Sequence, residues 1–369
     1  MMLVTGILMI LALTATAAAT ATSSPKARAL AGPDGDALPL VIGHRGASAY
    51  RPEHTLAAYE LAIELGADFI EPDLVSTKDG RLVARHENEI SGTTNVADKP
   101  EFAGRRTTKT IDGVAYTGWF TEDFTLAELK TLRAKERIPA LRPLNAVFDG
   151  LYEIPTLEEV IDLARREGVG VYPETKHPTY HDSIGLSLEE PLEAILEARR
   201  LNRPNAKVFV QSFETANLRE LDERLRVPLV QLIGGSGAPA DLVAAGEDTT
   251  YADLVTRAGL REISRYADGI GPDKNRIVPR DAGGNLETPT SVVSDAHRVG
   301  LLVHPYTFRP ENANLPANLR RGDPASPEYQ RARGATAAEL RLFYLLGVDG
   351  VFSDHPDTAV AVRHRLFGP

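Results

Sequence analysis

Residues 39–75 read PLVIGHRGASAYRPEHTLAAYELAIELGADFIEPDLV, which is an apolar run, a helix-like segment and a second apolar run. The runs at 40–46 and 68–75 have the length and composition of buried strands. Between them, Thr55–Leu65 shows a helical pattern. Strand–helix–strand order is typical of parallel strands that are joined by a crossover helix and buried on both faces. This stretch therefore predicts a βαβ unit and an α/β fold.

The same alternation continues to the end of the chain. Further strand candidates lie at 81–87, 170–176, 207–213, 228–234, 268–273, 301–308 and 350–354. Helical patterns lie between most of them, at Thr156–Arg166, Leu188–Arg199, Ala216–Leu225 and Thr336–Leu345. About eight such units over roughly 300 residues favour a TIM (β/α)8 barrel.

The number of strand candidates exceeds the number of places in the barrel. There are nine candidates for eight places, and only the five residues 76–80 separate the second candidate from the third. A link of five residues makes a hairpin, because parallel neighbours need a crossover of a dozen residues or more. One of these two segments is therefore irregular or antiparallel.

A segment at about 88–153 lacks the strand–helix rhythm. It contains polar pieces, an aromatic patch at Tyr116, Trp119 and Phe120, and a short amphipathic helical pattern at Thr125–Leu132. A structureless loop of this length is unusual inside a compact domain. We therefore predict a small inserted subdomain within a barrel domain that covers residues 39–369.

The composition excludes several classes of protein. The chain has 369 residues, with 41 Lys and Arg against 51 Asp and Glu, and a net charge of −10. A nucleic-acid binder needs a basic face, so this class is not expected. The chain has nine His and no Cys, which excludes disulfides, thiolate metal sites and cysteine nucleophiles. Any metal ion must be bound by carboxylates, imidazoles or carbonyls.

The first 24 residues carry no charged side chain and include an apolar, Ala-rich run. Small residues at Ala17, Ala19 and Ala21 provide possible cleavage sites, so we predict a signal peptide at 1–24 and a linker at 25–38. The apolar run is shorter than the ~20 residues of a typical spanning helix. The sequence thus predicts a secreted or periplasmic protein with no stable membrane insertion, and it indicates no protein partner.

Three carboxylates lie at predicted strand ends, where βα barrels form their active sites. Glu71 and Asp73 are spaced i and i+2, so on a strand both point to the same face. Glu174 ends another strand candidate. Like charges in a buried mouth are costly unless a cation shares them. This set indicates a hard divalent cation with oxygen ligands, Mg²⁺ or Ca²⁺.

Two histidines and two basic residues lie at the same strand ends. His44 follows the first apolar run, and His86 ends the third strand candidate. Such a pair suits acid–base cleavage of a phosphodiester, in which one imidazole accepts a proton and the other donates one. Arg45 offers a planar fork for phosphate oxygens, and Lys176 offers a point charge.

Together these segments resemble a known family, the glycerophosphodiester phosphodiesterases, and specifically their exported, periplasmic-type branch. The resemblance rests on GHRGASAYRPEHT (43–55), EPDLVSTKDG (71–80), His86 and YPETK (172–176), and on VQSF (210–213), YADGIGPD (266–273), LVHPYTFR (302–309) and GVFSDHPD (350–357). It implies a TIM barrel with a small inserted domain. It also implies hydrolysis of deacylated phospholipid diesters, as small-molecule substrates, to sn-glycerol 3-phosphate and an alcohol.

The resemblance also implies roles for individual residues. The family's acid and base fall on His44 and His86. Its metal carboxylates fall on Glu71, Asp73 and Glu174, usually with calcium in exported members. Its phosphate-binding Arg falls on Arg45, and the Lys of E-x-K falls on Lys176. The sequence departs from the family at His54, where P-E-N-T has Asn, and at Ser353, where the closing T-D-x-P has Thr. It does not decide which imidazole is the acid, or whether a cyclic phosphate forms.

Two alternatives stay open at this point. One is a phosphodiesterase or lyase of the same superfamily that acts on lyso- or sphingophospholipids. It would release a cyclic phosphate and need an apolar mouth, which Trp119 and Phe120 could supply. The other is a non-catalytic secreted binder of glycerophosphodiesters, a class expected to have lost one of the paired His.

Overall fold

The computed structural model describes residues 38–368. The predicted signal peptide at 1–24 and residues 25–37 of the predicted linker lie outside the described residues, so both stay predictions. Within 38–368, none of the helices combines the length and the apolar character that crossing a bilayer requires.

The described residues form thirteen strands. They are β1 (Leu40–His44), β2 (Phe69–Glu71), β3 (Asp73–Ser76), β4 (Leu82–Ala84), β5 (Thr107–Ile111), β6 (Val114–Gly118), β7 (Gly170–Val171), β8 (Glu174–Thr175), β9 (Val210–Ser212), β10 (Leu229–Ile233), β11 (Gly269–Pro272), β12 (Leu302–Val303) and β13 (Gly350–Ser353).

Thirteen α-helices lie between and after them. They are α1 (Leu56–Glu64), α2 (Leu126–Leu129), α3 (Leu157–Glu167), α4 (Pro178–Ser183), α5 (Glu189–Ala198), α6 (Thr215–Arg224), α7 (Ala240–Ala244), α8 (Tyr251–Leu254), α9 (Arg257–Ile263), α10 (Lys274–Ile277), α11 (Val292–Arg298), α12 (Thr336–Leu345) and α13 (Pro356–Phe367). Short 3₁₀ helices lie at Val96–Asp98, Pro100–Arg105, Thr121–Asp123, Asn145–Phe148, Asn312–Asn314 and Ala317–Leu319.

The strands close into a TIM barrel, which confirms the predicted fold. The parallel order runs β13-β1-β2-β7 and β8-β9-β10-β11-β12, where β2/β3 and β7/β8 are each two halves of one interrupted strand. Backbone hydrogen bonds close the ring between β12 and β13, from Asp349 N–H to Val303 O (2.9 Å) and from Phe352 N–H to Pro305 O (3.1 Å). Eight strand positions result.

The surplus strand candidate is the one at 81–87, which forms β4, and β4 is antiparallel to β3. It pairs with β3 in the register Leu74↔Ala84 to Ser76↔Leu82, as the five-residue link requires. β4 therefore extends the sheet beyond the barrel instead of taking a place in the ring. The last residues of its segment return to the mouth, where Arg85 N–H donates to Asp73 O at 2.9 Å.

Aromatic side chains fill the interior of the barrel. Tyr172 stacks on Phe209 with ring centroids 4.8 Å apart, and Phe69 and Phe352 meet it edge-on at 6.1 and 5.1 Å. Gly170 makes room for this layer, because a Cβ there would lie 2.1 Å from the Phe69 ring. The interior is thus a packed core, in which the Tyr172 hydroxyl contacts His304 Nδ1 at 2.9 Å, and the mouth lies at the C-terminal ends of the strands.

The segment 88–153, which we call the 88–153 unit, packs on the β3–β4 extension. It contains the β5–β6 hairpin and α2, and its apolar side chains cluster with Val75 and Val83 from β3 and β4. The Trp119 indole N–H donates to Phe102 O at 2.7 Å, and Phe120 is fully buried. Trp119 belongs to this cluster and Phe120 is buried, so neither ring is exposed to line the apolar mouth that was expected of them.

Candidate active site

His44 is the last residue of β1 and is held by an acidic neighbour. It pairs in register with Glu71 on β2. Its Nδ1 lies 2.6 Å from Oδ1 of Asp354, which follows β13. Because the carboxylate is an acceptor, Nδ1 carries the proton, and Nε2 is the nitrogen left to accept one. Burial, together with the nearby Arg45 cation, lowers the pKa of His44 to about 4, so the imidazole is neutral at neutral pH.

The turn after β1 aims Arg45 at the carboxylates. Gly46 has φ +87°, and a Cβ there would lie 2.5 Å from the backbone of Ala58, so only glycine fits. The Arg45 backbone N–H donates to Glu71 Oε2 at 2.7 Å. Its guanidinium lies 3.1 Å from Glu53 Oε2 and 3.4 Å from Asp73 Oδ2. Although burial opposes the charge, these carboxylates raise the pKa of Arg45.

The three predicted carboxylates converge because Pro72 interrupts the second barrel strand. β2 ends at Glu71 and β3 begins at Asp73, which pairs in register with Glu174 on β8. One carboxylate oxygen from each of the three lies within 4.8 Å of the others, and all three side chains are buried. Burial raises the pKa of Glu174 to about 8, and the charge of Asp73 adds to this shift.

The cluster has the donor set of a divalent metal site. Asp73 Oδ1 is buried and has no hydrogen-bond partner, although it belongs to a carboxylate. Burial and repulsion from Asp73 and Glu174 also raise the pKa of Glu71 well above its ordinary value. A cation with oxygen ligands would pair the unsatisfied oxygen and remove the repulsion. The residues present therefore fit a divalent cation.

His54, which sequence reasoning left without a role, supports this cluster from beneath. Its fully buried imidazole donates from Nε2 to Asp73 Oδ2 at 2.9 Å and accepts at Nδ1 from the Tyr59 hydroxyl at 2.8 Å. Burial lowers the pKa of His54, which agrees with a neutral ring in this arrangement. His54 thus holds Asp73 in place where the family pattern has Asn.

His86 and Lys176 complete the predicted set. His86 Nδ1 lies 2.8 Å from Glu87 Oε1, and about a quarter of the side chain is exposed (24%). The burial of the ring, with Arg45 and Lys176 nearby, lowers the pKa of His86 to about 3. Lys176 Nζ lies 2.9 Å from Glu174 Oε1. That carboxylate raises the Lys176 pKa, although burial acts against it.

One cavity of about 480 Å³ at the barrel mouth brings these residues together. We call it the phosphate cavity. Six of the seven predicted residues line it, and the seventh, Asp73, lies just beneath. The lining residues from this set are His44, Arg45, Glu71, His86, Glu174 and Lys176. The geometry can therefore place two imidazoles and two cations around a single anionic group.

Sequence reasoning missed several residues of the phosphate cavity. Lys274, Arg280 and Arg309 line its far wall, and Arg137 reaches it from the 88–153 unit. Arg309 follows β12, so the strand-end rule could have found it. Arg137 donates from Nε to Glu53 Oε2 at 2.8 Å, a contact across 84 residues that no local pattern indicates.

Comparison with known proteins identifies relatives over most of the chain. Residues 44–358 match the glycerophosphoryl diester phosphodiesterase family. An Arabidopsis thaliana glycerophosphodiester phosphodiesterase is 36% identical over 86% of this chain and 83% of its own length. A Bacillus subtilis glycerophosphodiester phosphodiesterase is 32% identical over 86% and 84%.

A solved structure shares the fold at low sequence identity. It is an Oleispira antarctica phosphodiesterase in complex with the product sn-glycerol-3-phosphate, 21% identical, with a TM-score of 0.57 over 88% of this chain and 96% of that chain. The fold, the matched residues and the identity to the plant and bacterial relatives lead to one conclusion. The chain belongs to the glycerophosphoryl diester phosphodiesterase family.

Proposed function

We propose that the protein hydrolyses glycerophosphodiesters to sn-glycerol 3-phosphate and an alcohol. The observation that carries this proposal is the phosphate cavity, in which His44, His86 and Arg45 surround a buried carboxylate cluster. The plant and Bacillus relatives named above are glycerophosphodiester phosphodiesterases, and the Oleispira structure holds sn-glycerol-3-phosphate. These names support the substrate class.

Glu71, Asp73 and Glu174 would hold the divalent cation. We propose Ca²⁺ rather than Mg²⁺, because calcium accepts oxygen ligands in flexible geometry whereas magnesium demands a near-ideal octahedron. When bound, the cation supplies charge that polarises the phosphoryl oxygens. The buried, unpaired Asp73 Oδ1 supports a ligand at this position.

The residues of the chain handle the protons and the phosphate charge. Asp354 keeps the His44 proton on Nδ1, and Glu87 does the same for His86, so each ring presents Nε2 for proton transfer. One imidazole accepts the proton of the attacking oxygen at Nε2, whereas the other enters the reaction as imidazolium, which the bound phosphodiester anion favours, and donates its Nε2 proton to the leaving alkoxide. Arg45 and Lys176 bind the non-bridging phosphate oxygens.

The test is product analysis with glycerophosphocholine as substrate, followed by phosphorus NMR. We expect sn-glycerol 3-phosphate as the phosphorus product. We expect His44→Ala and His86→Ala each to reduce turnover at least ~10²-fold, because each removes a positioned acid or base. The matched control is His364→Ala on the exposed face of α13, which should turn over at the wild-type rate.

Two outcomes would contradict the proposal. One is near-wild-type turnover by either His variant. The other is a cyclic phosphate as the final product, which would favour the lyase of the same superfamily instead.

We further propose export, on the sequence alone. Residues 1–24 contain an apolar run followed by small-residue cleavage sites, which are two features of a signal peptide, although the positively charged start that is typical of one is missing.

A further inference from the structure

A second cavity, of about 550 Å³, adjoins the phosphate cavity. We call it the alcohol cavity. The two share Glu174, Lys176 and Phe213 in their walls, so they meet beside the site of proton transfer. A phosphodiester bound at this junction has two alcohol groups esterified to the phosphorus, and each cavity can bind one of them.

The two cavities differ in charge. Four basic side chains form a basic wall in the phosphate cavity and do not line the alcohol cavity: Arg137, Lys274, Arg280 and Arg309. Three of them are paired, with Glu53, Glu339 and Asp354, whereas Arg280 forms no ion pair within 38–368.

In the alcohol cavity, carboxylates surround Tyr251. Burial raises the pKa of Tyr251, and four carboxylates raise it further: Glu214, Asp241, Glu174 and Asp112. Of the three carboxylates that line this cavity, Glu174 is paired with Lys176 and Asp112 with His177, so the charge of Glu214 is the one that favours a cation.

Glu214 is the carboxylate that lacks a countercharge. It is 2% exposed and lines the alcohol cavity. Its two hydrogen bonds, from the backbone N–H of Thr179 (3.0 Å) and from the Thr179 hydroxyl, both end on Oε2. Among residues 38–368 it forms no ion pair, whereas Lys176 is paired with Glu174 and His177 with Asp112. Oε1 of Glu214 is thus left to a ligand, and a buried carboxylate gains most from a cationic one.

Aromatic rings form the other walls. Phe213 and Tyr251 meet edge-on with centroids 6.0 Å apart, and Tyr180 lies on the same cavity. Lys176 Nζ already lies 5.6 Å from the Phe213 ring centroid. Aromatic faces beside a carboxylate are the arrangement that recognises substituted ammonium groups.

We propose that the alcohol cavity binds the departing alcohol of the substrate and selects an ammonium alcohol, with Glu214 as the counter-ion and Phe213 and Tyr251 as the rings. The basic wall of the phosphate cavity then faces the glycerophosphate group. The selectivity rests on the proposed function, whereas binding of the free ammonium alcohol does not.

The first experiment compares two substrates that differ in the charge of the alcohol. Glycerophosphocholine carries a quaternary ammonium, and glycerophosphoglycerol carries a neutral alcohol. Glu214→Gln keeps an oxygen for Thr179 but removes the charge. We expect kcat/KM for glycerophosphocholine to fall about tenfold or more, which is the size of a desolvated cation contact, and kcat/KM for glycerophosphoglycerol to change less than about twofold. Glu247→Gln, an exposed acid outside the cavity, is the matched control and should leave the ratio unchanged.

The second experiment measures choline binding to the full chain by calorimetry, with thermal melting to show that each variant is folded. We expect the wild type and Tyr251→Phe to bind choline, and Glu214→Gln to bind it at least about tenfold more weakly. An unchanged substrate ratio in Glu214→Gln would overturn the proposal, as would a wild type that does not bind choline. If neither diester is hydrolysed, the proposed function fails, and choline binding still decides the identity of this cavity.

Discussion

His44 is oriented by a carboxylate that three basic groups share. Asp354 Oδ1 accepts from His44 Nδ1, while its Oδ2 accepts from Arg142 at 2.6 Å and from Arg309 at 2.8 Å. Although burial opposes ionisation, the cations of Arg309 and Arg142 hold the pKa of Asp354 well below its ordinary value. A permanent carboxylate at this position fixes the proton on Nδ1 and leaves Nε2 free for proton transfer.

Asp354→Asn tests this arrangement. An amide can offer N–H₂ to Nδ1, which would place the imidazole proton on Nε2 and remove the acceptor that faces the cavity. We expect kcat to fall on the order of 10²- to 10⁴-fold with little change in KM, because the tautomer is wrong while the phosphate contacts stay. Steady-state kinetics with thermal melting measure this. A fall in kcat of less than about threefold in a folded variant would show that Asp354 does not set the tautomer.

At the scale of single residues, the sequence located the strand-end residues but not those that support them. His44, Glu71 and Glu174 follow apolar runs, so the barrel rule places them at the mouth. The roles of His54 and Arg137 depend on contacts across 19 and 84 residues. Neither residue lies in a pattern that specifies its partner, so only the folded structure reveals the contact.

At the scale of elements, periodicity located the long helices well. The patterns at Thr156–Arg166 and Leu188–Arg199 correspond to α3 and α5 within one or two residues. Thr156 begins α3 with a capping box to Glu159, a strong local signal. Short helices such as α8 and α10 were not predicted, because four residues are too few to show a period. The equally short α2 was indicated by the longer amphipathic pattern at Thr125–Leu132.

Which of the nine strand candidates take the eight barrel positions could be decided only from the structure. β4 has the same apolar character as a barrel strand, so composition could not show its direction. Chain geometry did show that the two segments that flank residues 76–80 cannot be parallel neighbours, because five residues are too few for a crossover. The break at Pro72 follows from proline's missing N–H, and it divides the second barrel strand into β2 and β3.

The 88–153 unit acts at the barrel mouth through three polar side chains. Arg137 contacts Glu53, and Arg142 contacts Asp354 across 212 residues. At the β5–β6 turn, Asp112 contacts His177 at 2.5 Å and lines the alcohol cavity. These contacts place the unit where it can influence both the proposed acid–base pair and the proposed alcohol site. The absence of a strand–helix rhythm indicated a separate unit but gave no sign of these contacts.

At the scale of the whole molecule, the net charge of −10 conceals a division of charge between the two cavities. The basic wall of the phosphate cavity suits an anionic substrate, whereas the charge of Glu214 in the alcohol cavity suits a cation. The net charge argued against a basic nucleic-acid surface but carried no information about this division. Local potential is set by which side chains the fold brings together.

The buried carboxylate cluster links metal binding to stability. Burial raises the pKa of Glu174 to about 8, so the folded state favours its protonated form. That contribution to stability is complete below the unfolded pKa of about 4.5 and is lost as the pH rises through about 8. A bound cation would compensate for the loss, because it favours the ionised form.

We therefore expect the gain in Tm on adding calcium to increase between pH 5 and pH 8. A ligand at a hundred times its Kd adds about 2.7 kcal/mol to the free energy of unfolding, which corresponds to a few degrees in a chain of this size. Calorimetry with and without calcium at each pH measures the gain. A gain that is constant or falls with rising pH would show that calcium does not bind these carboxylates.

The most direct measurement is the hydrolysis of glycerophosphocholine by enzyme freed of divalent metal and then titrated with calcium or magnesium. The proposed site requires a cation on Glu71, Asp73 and Glu174, and the charge stabilisation it supplies is several kcal/mol. We expect kcat/KM to fall at least ~10²-fold on chelation and to recover on adding calcium, and to a smaller extent on adding magnesium. Full activity in the metal-free enzyme would contradict metal-assisted hydrolysis at this site.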